Sequence, residues 1–200
     1  IADARDVNLI EAKLPPLFPT HQHDAAFWCS LGRAVATFGF LEQTLKKAIL
    51  ALTGTVPAPE DPEEAAAAVQ EWQDQLTRSI VSPLNALIDT FAKAAREHTE
   101  AHLQNLDKFA DTMRSAARLR NLICHSSWAP PDDSGASAPF YVSGPTGQPA
   151  KHVVWEAPVT VAWLDQLRAH AAELACEVMN SVTHMGYQFP GTDSPGRPVV

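Results

Sequence analysis

The stretch RLRNLICHSSWAPP, residues 118–131, brings a permanent cation and a proton-exchanging side chain close together. Arg120 stands five residues before His125. An arginine is charged at all ordinary pH values and can hold an anion, whereas a histidine titrates near neutral pH and can accept or release a proton. These two residue types make this stretch the candidate site.

The elements that must position this stretch are predicted to be helices, because apolar residues recur at helical spacing. The first helix is expected from the cap Asp24 to Gly54, and the second from Asp61, in two pieces around Ser82 and Pro83. The third is expected from near Thr99 to just past His125, and the last from the cap Thr160 to Gly186. The expected inward residues of the first helix are Leu31, Val35, Phe38, Leu41, Leu45, Ile49 and Leu52.

The predicted fold class is all-α, an antiparallel bundle of four to five helices with a long loop or small β-hairpin inserted before the last helix. The bundle is expected over residues 24–186, with an extended N-terminal arm over 1–23 and a disordered tail over 187–200. Residues 129–159 are rich in Pro, Gly, Ser and Asp. Two short strands are predicted there, at FYV and HVVW.

Composition narrows the classes of function. Apolar residues make up 46% of the chain, and no apolar run reaches the ~20 residues of a membrane span, so a soluble protein without a membrane partner is expected. The formal charge of -8 argues against coating nucleic acid with the whole surface. A local basic excess precedes the candidate site, at Lys108, Arg114, Arg118 and Arg120.

No cofactor or metal is expected. The cysteines Cys29, Cys124 and Cys176 lie too far apart for a metal motif or a disulfide framework, which favours a reducing cytoplasm. His98 and His102 have the spacing of two ligands on one helical face, but no third ligand is in register.

Arg120 falls on the apolar line of its predicted helix, and two interpretations are open. It can be a structural cation, for which Glu42 on the inward side of the first helix is the evident partner. It can also belong to a site with His125. Positions five apart on a regular helix diverge by about 140°, so these two side chains converge only if the helix frays or turns near Cys124.

The pattern Arg-Asn-x-x-x-His near the end of a helix in a small all-α bundle resembles the R-x4–6-H motif of the HEPN (higher eukaryotes and prokaryotes nucleotide-binding) superfamily. The segments FGFLEQTL and RNLICHSSW are similar to those of small bacterial HEPN-like proteins. The resemblance covers roughly residues 24–185 as architecture, and its specific part is six residues long.

The resemblance implies a metal-independent endoribonuclease, a toxin or a defence or stress effector, that works as a homodimer with both motifs in one cleft. Arg120 would hold the scissile phosphate, His125 would be the general acid/base for attack by the ribose 2′-hydroxyl, and Asn121 would orient one of them. Arg118 and Glu42 would support the site, and Trp128 is close enough in sequence to pack under His125.

Two departures from the family pattern stand out. Ser127 occupies the position where toxins paired with a nucleotidyltransferase antitoxin carry a modified tyrosine, so that route of regulation is not expected, although an antitoxin or regulatory protein stays a candidate partner. The insertion over residues 129–159 is the second departure. The alternatives are a HEPN-like module for binding or dimerisation without catalysis, and an unrelated bundle in which Arg120 pairs with Glu42.

Overall fold

The computed structural model describes residues 15–57, 59–143, 151–155 and 157–199. Within them the helices are α1 (Ala25–Gly54), α2 (Pro62–Ile80), α3 (Leu84–Glu97), α4 (Leu106–His125) and α5 (Val161–Thr183). The strands are β1 (Ser127–Trp128), β2 (Pro139–Ser143) and β3 (Lys151–Val154). This arrangement confirms the predicted all-α bundle with a small hairpin before the last helix.

The core forms around α1, which packs along α5 and α3, while α4 packs against α3. The expected inward line of α1 is confirmed except at Val35, which is 37% exposed, and its neighbour Ala34 is fully buried instead. The largest buried side chains come from α1, α3, α4, α5 and the segment before α5: Phe38, Leu41, Leu45, Ile49, Leu52, Leu87, Ile88, Phe91, Met113, Val159, Leu164 and Val178.

The helix starts predicted at Asp24, Asp61 and Thr160 are confirmed, and the last two have side-chain capping hydrogen bonds. Oδ1 of Asp61 accepts hydrogen bonds from the backbone N–H groups of Glu63 and Glu64, and Oγ1 of Thr160 accepts one from Trp163. These bonds satisfy amides that have no partner inside the helix. The break at residues 81–83 also exists, with Pro83 as the residue that precedes α3.

The start of α4 differs from the prediction. It begins at Leu106 rather than near Thr99, and a non-helical connection fills residues 98–105. His102 and Asn105 in this connection have positive φ angles of 38° and 58°. Such angles cannot continue a right-handed helix, so the apolar spacing that begins at Leu103 includes a residue outside α4.

The strands form one antiparallel sheet in the order β1-β2-β3. The predicted hairpin is therefore confirmed, with Tyr141 opposite Val153, and β1 is an additional strand. The turn at residues 144–150 lies outside the described residues. Buried Ser137 and Val159 exchange backbone hydrogen bonds of 2.9 Å. These bonds join the residues just before β2 to the residues just before α5.

The C-terminal segment differs from its prediction, and the N-terminal segment can be compared with its prediction only from residue 15 onward. Residues 187–199 are not disordered, because Arg197 exchanges backbone bonds with Gly186 and Gln188, and Phe189 is only 3% exposed. Residues 1–14 lie outside the described residues, and residues 15–23 form turns in which the carbonyl of Thr20 accepts a hydrogen bond from the indole of Trp28. No helix in the described ranges is long and apolar enough to cross a membrane.

His98, buried where α3 ends, makes stability depend on pH. Its Nδ1 accepts a hydrogen bond from the amide of Glu100, and its Nε2 lies 3.0 Å from Oγ1 of Thr55, so the neutral ring satisfies both contacts. Burial lowers the pKa of His98 below its ordinary value of 6.5, and the charge of Glu100 opposes this only in part.

Because the pKa of His98 is lower in the folded state, its contribution to stability is complete above pH 6.5 and is lost as the pH falls below 6.5. We expect His98→Gln to make the free energy of unfolding less dependent on pH between about pH 7.5 and 5. Urea denaturation across this range measures it. The control is His102→Asn, which replaces an exposed histidine with a residue that tolerates its positive φ. Equal pH dependence in wild type and His98→Gln would contradict the assignment.

Candidate functional site

The candidate site lies where α4 ends. His125 is the last helical residue, and Ser126 closes the helix with its backbone N–H and its hydroxyl, both bonded to the carbonyl oxygen of Leu122. Strand β1 and two prolines follow, so the helix cannot continue. His125 is therefore presented at a helix C-terminus, and it is exposed.

Arg120 is half-buried and held by two contacts. Its Nη2 lies 3.2 Å from Oε1 of Glu42 on α1, with the two side chains 31% and 23% exposed. Its Nη1 donates a 3.2 Å hydrogen bond to Oδ1 of Asn121. The ion pair anticipated under the structural interpretation is thus present. A guanidinium carries five N–H donors, so these contacts leave donors for an anionic ligand.

Arg120 and His125 of one chain do not share a face of α4. The helix stays regular through His125 and neither frays nor turns at Cys124, so the two positions diverge by about 140° around its axis. The condition for their convergence within one chain is not met. The same geometry places Arg118 and Asn121 within about 40° of His125, so these three side chains share one face.

The ring that lies against His125 belongs to Tyr141 of β2. The ring centroids are 6.5 Å apart and the planes differ by 20°, a nearly parallel arrangement. Trp128, which is close enough in sequence to pack under His125, packs edge-on against Phe27 at 5.2 Å and lies against the core. The pairing of β1 with β2 brings Tyr141 to the end of α4.

A groove of about 460 Å³ runs beside this pair, between α4 and the inserted sheet. One wall is the helix face that carries Arg118 and Asn121, and the other is formed by the rings of Tyr141 and Trp155. The remaining lining residues are Ser115, Leu119 and Leu122.

The charges along α4 are unevenly compensated. Arg114 is paired with both Asp89 and Asp111, which raise its pKa through hydrogen bonds, and Arg120 is paired with Glu42. Arg118 is exposed, donates to Oγ of Ser115, and makes no ion pair within the described part of the chain. The least compensated guanidinium of the helix therefore lies at the groove.

Other chemistry near the motif is disfavoured by its surroundings. Burial raises the pKa of the Cys124 thiol, and the charge of Glu42 adds to this while that of Arg120 opposes it. A thiol with a raised pKa is a poor nucleophile at neutral pH. Among the described residues, no three His, Cys, Asp or Glu side chains lie together as metal ligands.

Sequence reasoning located the end of α4 but missed the two aromatic residues, Tyr141 and Trp155, that line the groove. The sequence FYV is apolar throughout and does not show which face of the strand Tyr141 lies on; in the structure its neighbours Phe140 and Val142 are 53% and 45% exposed, and a strand alternates its faces. Trp155 had no signal either, because its place depends on the sheet docking against α4. Comparison of the chain with protein-family models, with curated proteins and with solved structures finds no match.

Proposed function

We propose that this protein is a HEPN-like, metal-independent endoribonuclease that cleaves RNA by attack of the ribose 2′-hydroxyl on the adjacent phosphate. The observation that carries the proposal is an exposed His125 at the end of α4, on the same helix face as the amide of Asn121 and as Arg118, which makes no ion pair with a described residue. An imidazole and a cation are groups that this reaction uses, and an amide can orient them.

His125 acts as general acid/base, taking the proton of the 2′-hydroxyl or returning one to the leaving 5′-oxygen. Arg118 and Arg120 supply positive charge for the phosphate, whose negative charge grows in the transition state. Glu42 fixes the guanidinium of Arg120 at 3.2 Å, so a supporting role for Glu42 follows from the ion pair. No metal is needed, because the nucleophile belongs to the RNA itself.

A second copy of the chain completes the site in this proposal. Arg120 and His125 of one chain point about 140° apart around α4, so one phosphate cannot easily meet both. If two copies are related by a twofold axis near the end of α4, Arg120 of one copy can face His125 of the other. The catalytic unit is therefore a homodimer with two equivalent sites.

The competing function is a HEPN-like module that binds or dimerises without catalysis. The ion pair between Arg120 and Glu42 favours it, because a cation already neutralised by a carboxylate attracts phosphate less strongly. In this alternative the Arg120–Glu42 pair joins α4 to α1 and has no chemical role.

Analysis of the cleavage products tests the proposal. Purified protein incubated with RNA in excess EDTA is expected to cleave it and leave 2′,3′-cyclic phosphate and 5′-hydroxyl ends. The matched control is the same RNA with 2′-deoxy nucleotides at the mapped cleavage positions, which should stay intact. Absence of cleavage, or cleavage of the deoxy-substituted RNA, would refute the proposed reaction. A toxin or defence role predicts in addition that expression slows growth, with loss of that effect in His125→Ala.

A further inference from the structure

We propose that the groove between α4 and the inserted sheet is a nucleobase-binding slot, which selects single-stranded RNA by stacking one base on the aromatic wall of Tyr141 and Trp155 beside His125. This inference rests on the proposed function and names its substrate class. The slot is continuous with the candidate site, because Tyr141 belongs to its aromatic wall and the centroid of the Tyr141 ring lies 6.5 Å from that of the His125 ring.

The lining has the chemistry that a base requires. Two aromatic side chains offer π faces, and stacking on such faces accepts any base. The amide of Asn121 can read the polar edge of a base, and apolar Leu119 and Leu122 exclude water from the floor. At about 460 Å³, the groove is in the size range of small-ligand sites.

A polar atom of Trp155, one of the lining residues, supports this occupant. Nε1 of Trp155 is buried and has no hydrogen-bond partner among the described residues, although the indole also touches the ring of Trp163 at 5.8 Å. A buried donor without an acceptor is destabilising. A small rotation of the indole toward a bound base would give this N–H a ring nitrogen or carbonyl oxygen as acceptor.

The positive charge of Arg118 at the edge of the groove favours the binding of RNA. Arg118 lines the groove without a carboxylate partner in the described chain, so it is available for the phosphate that follows the stacked base. A paired base has its faces covered by its neighbours in the helix, whereas a single-stranded base can be splayed into a slot. The slot therefore predicts discrimination against duplex RNA.

Binding of a short fluorescein-labelled, fully 2′-O-methylated single strand tests the slot by fluorescence anisotropy, because such RNA cannot be cleaved by 2′-hydroxyl attack. Tyr141→Ala and Trp155→Ala are each expected to raise Kd by about 5- to 150-fold, the equivalent of ~1–3 kcal/mol for one stacked base. The controls are Val142→Ala, on the opposite face of β2, and Trp72→Ala, whose indole donates a hydrogen bond to Thr53 and does not line the groove. Both should bind as wild type does.

The binding results test the base slot independently of the proposed nuclease activity. Loss of affinity in the two slot variants, with wild-type affinity in the control variants and weak binding of an abasic strand by the wild type, supports the slot even if wild type cleaves no RNA. Unchanged affinity in both slot variants, equal binding of abasic or duplex RNA, or no binding by wild type overturns it, even if His125→Ala abolishes cleavage. Circular dichroism verifies folding, and Tyr141→Leu, which keeps apolar packing but removes the π face, replaces any variant that fails to fold.

Discussion

Replacing His125 with alanine is expected to slow RNA cleavage by at least about a hundredfold while the protein stays folded. General acid/base catalysis contributes ~10²–10⁴-fold to such reactions, or roughly 3–5 kcal/mol of the barrier. His125 is exposed at the end of α4 and contacts the Tyr141 ring, so its removal leaves no cavity in the core. Single-turnover cleavage rates and thermal melting of the same samples measure both effects.

The matched control for His125→Ala is His170→Ala on α5, which removes a histidine whose side chain is 41% exposed and away from the end of α4. It should cleave RNA as fast as wild type. A rate loss below about tenfold in His125→Ala would refute its role as the acid or base, since that is less than this class of catalysis contributes.

Arg120→Ala is expected to lower cleavage by about 10²–10³-fold, the usual effect of removing one group that stabilises transition-state charge. It should also lower the free energy of unfolding by about 1–2 kcal/mol, because Glu42, only 23% exposed, loses its partner. That figure lies between the ~0–1 kcal/mol of exposed pairs and the ~3–5 kcal/mol for breaking buried ones. The double variant Arg120→Ala/Glu42→Leu should regain stability without regaining activity.

Mixing the two inactive variants shows whether sites are shared between chains. If each site takes Arg120 from one copy and His125 from the other, a heterodimer of Arg120→Ala with His125→Ala chains contains one intact site. Random exchange then restores about a quarter of wild-type activity, since half of the dimers are mixed and each has one working site of two. No recovery after confirmed subunit exchange, or a monomer in sedimentation, would contradict the shared site.

The fold was largely predictable because its signals are local. Helical spacing of apolar residues located all the helices, and the capping residues Asp61 and Thr160 located two of their starts. The errors occur where local signals conflict. Leu103 continues the apolar spacing of α4, but the left-handed backbone at His102 and Asn105 prevents a helix there. The tail reads as polar and rich in turn residues, yet the packing of Phe189 orders it.

The candidate site was only half predictable. The sequence places His125 at a helix end because prolines follow, and Glu42 is a sensible partner for Arg120 because both lie at the inward edge of their helices. Which groups share a face depends on whether α4 stays regular through Cys124, and the sequence left that open. The positions of Tyr141 and Trp155 in the groove depend on strand pairing and on the packing of the sheet against α4, which are contacts between segments far apart in the chain.

The hydrogen-bonded bridge between Ser137 and Val159 holds the two ends of the hairpin segment beside each other. Residues 138–158 thus form a cassette whose two ends are already clamped together. Exchange of this cassette by grafting can alter what the protein recognises, while the packing among the five described helices stays the same.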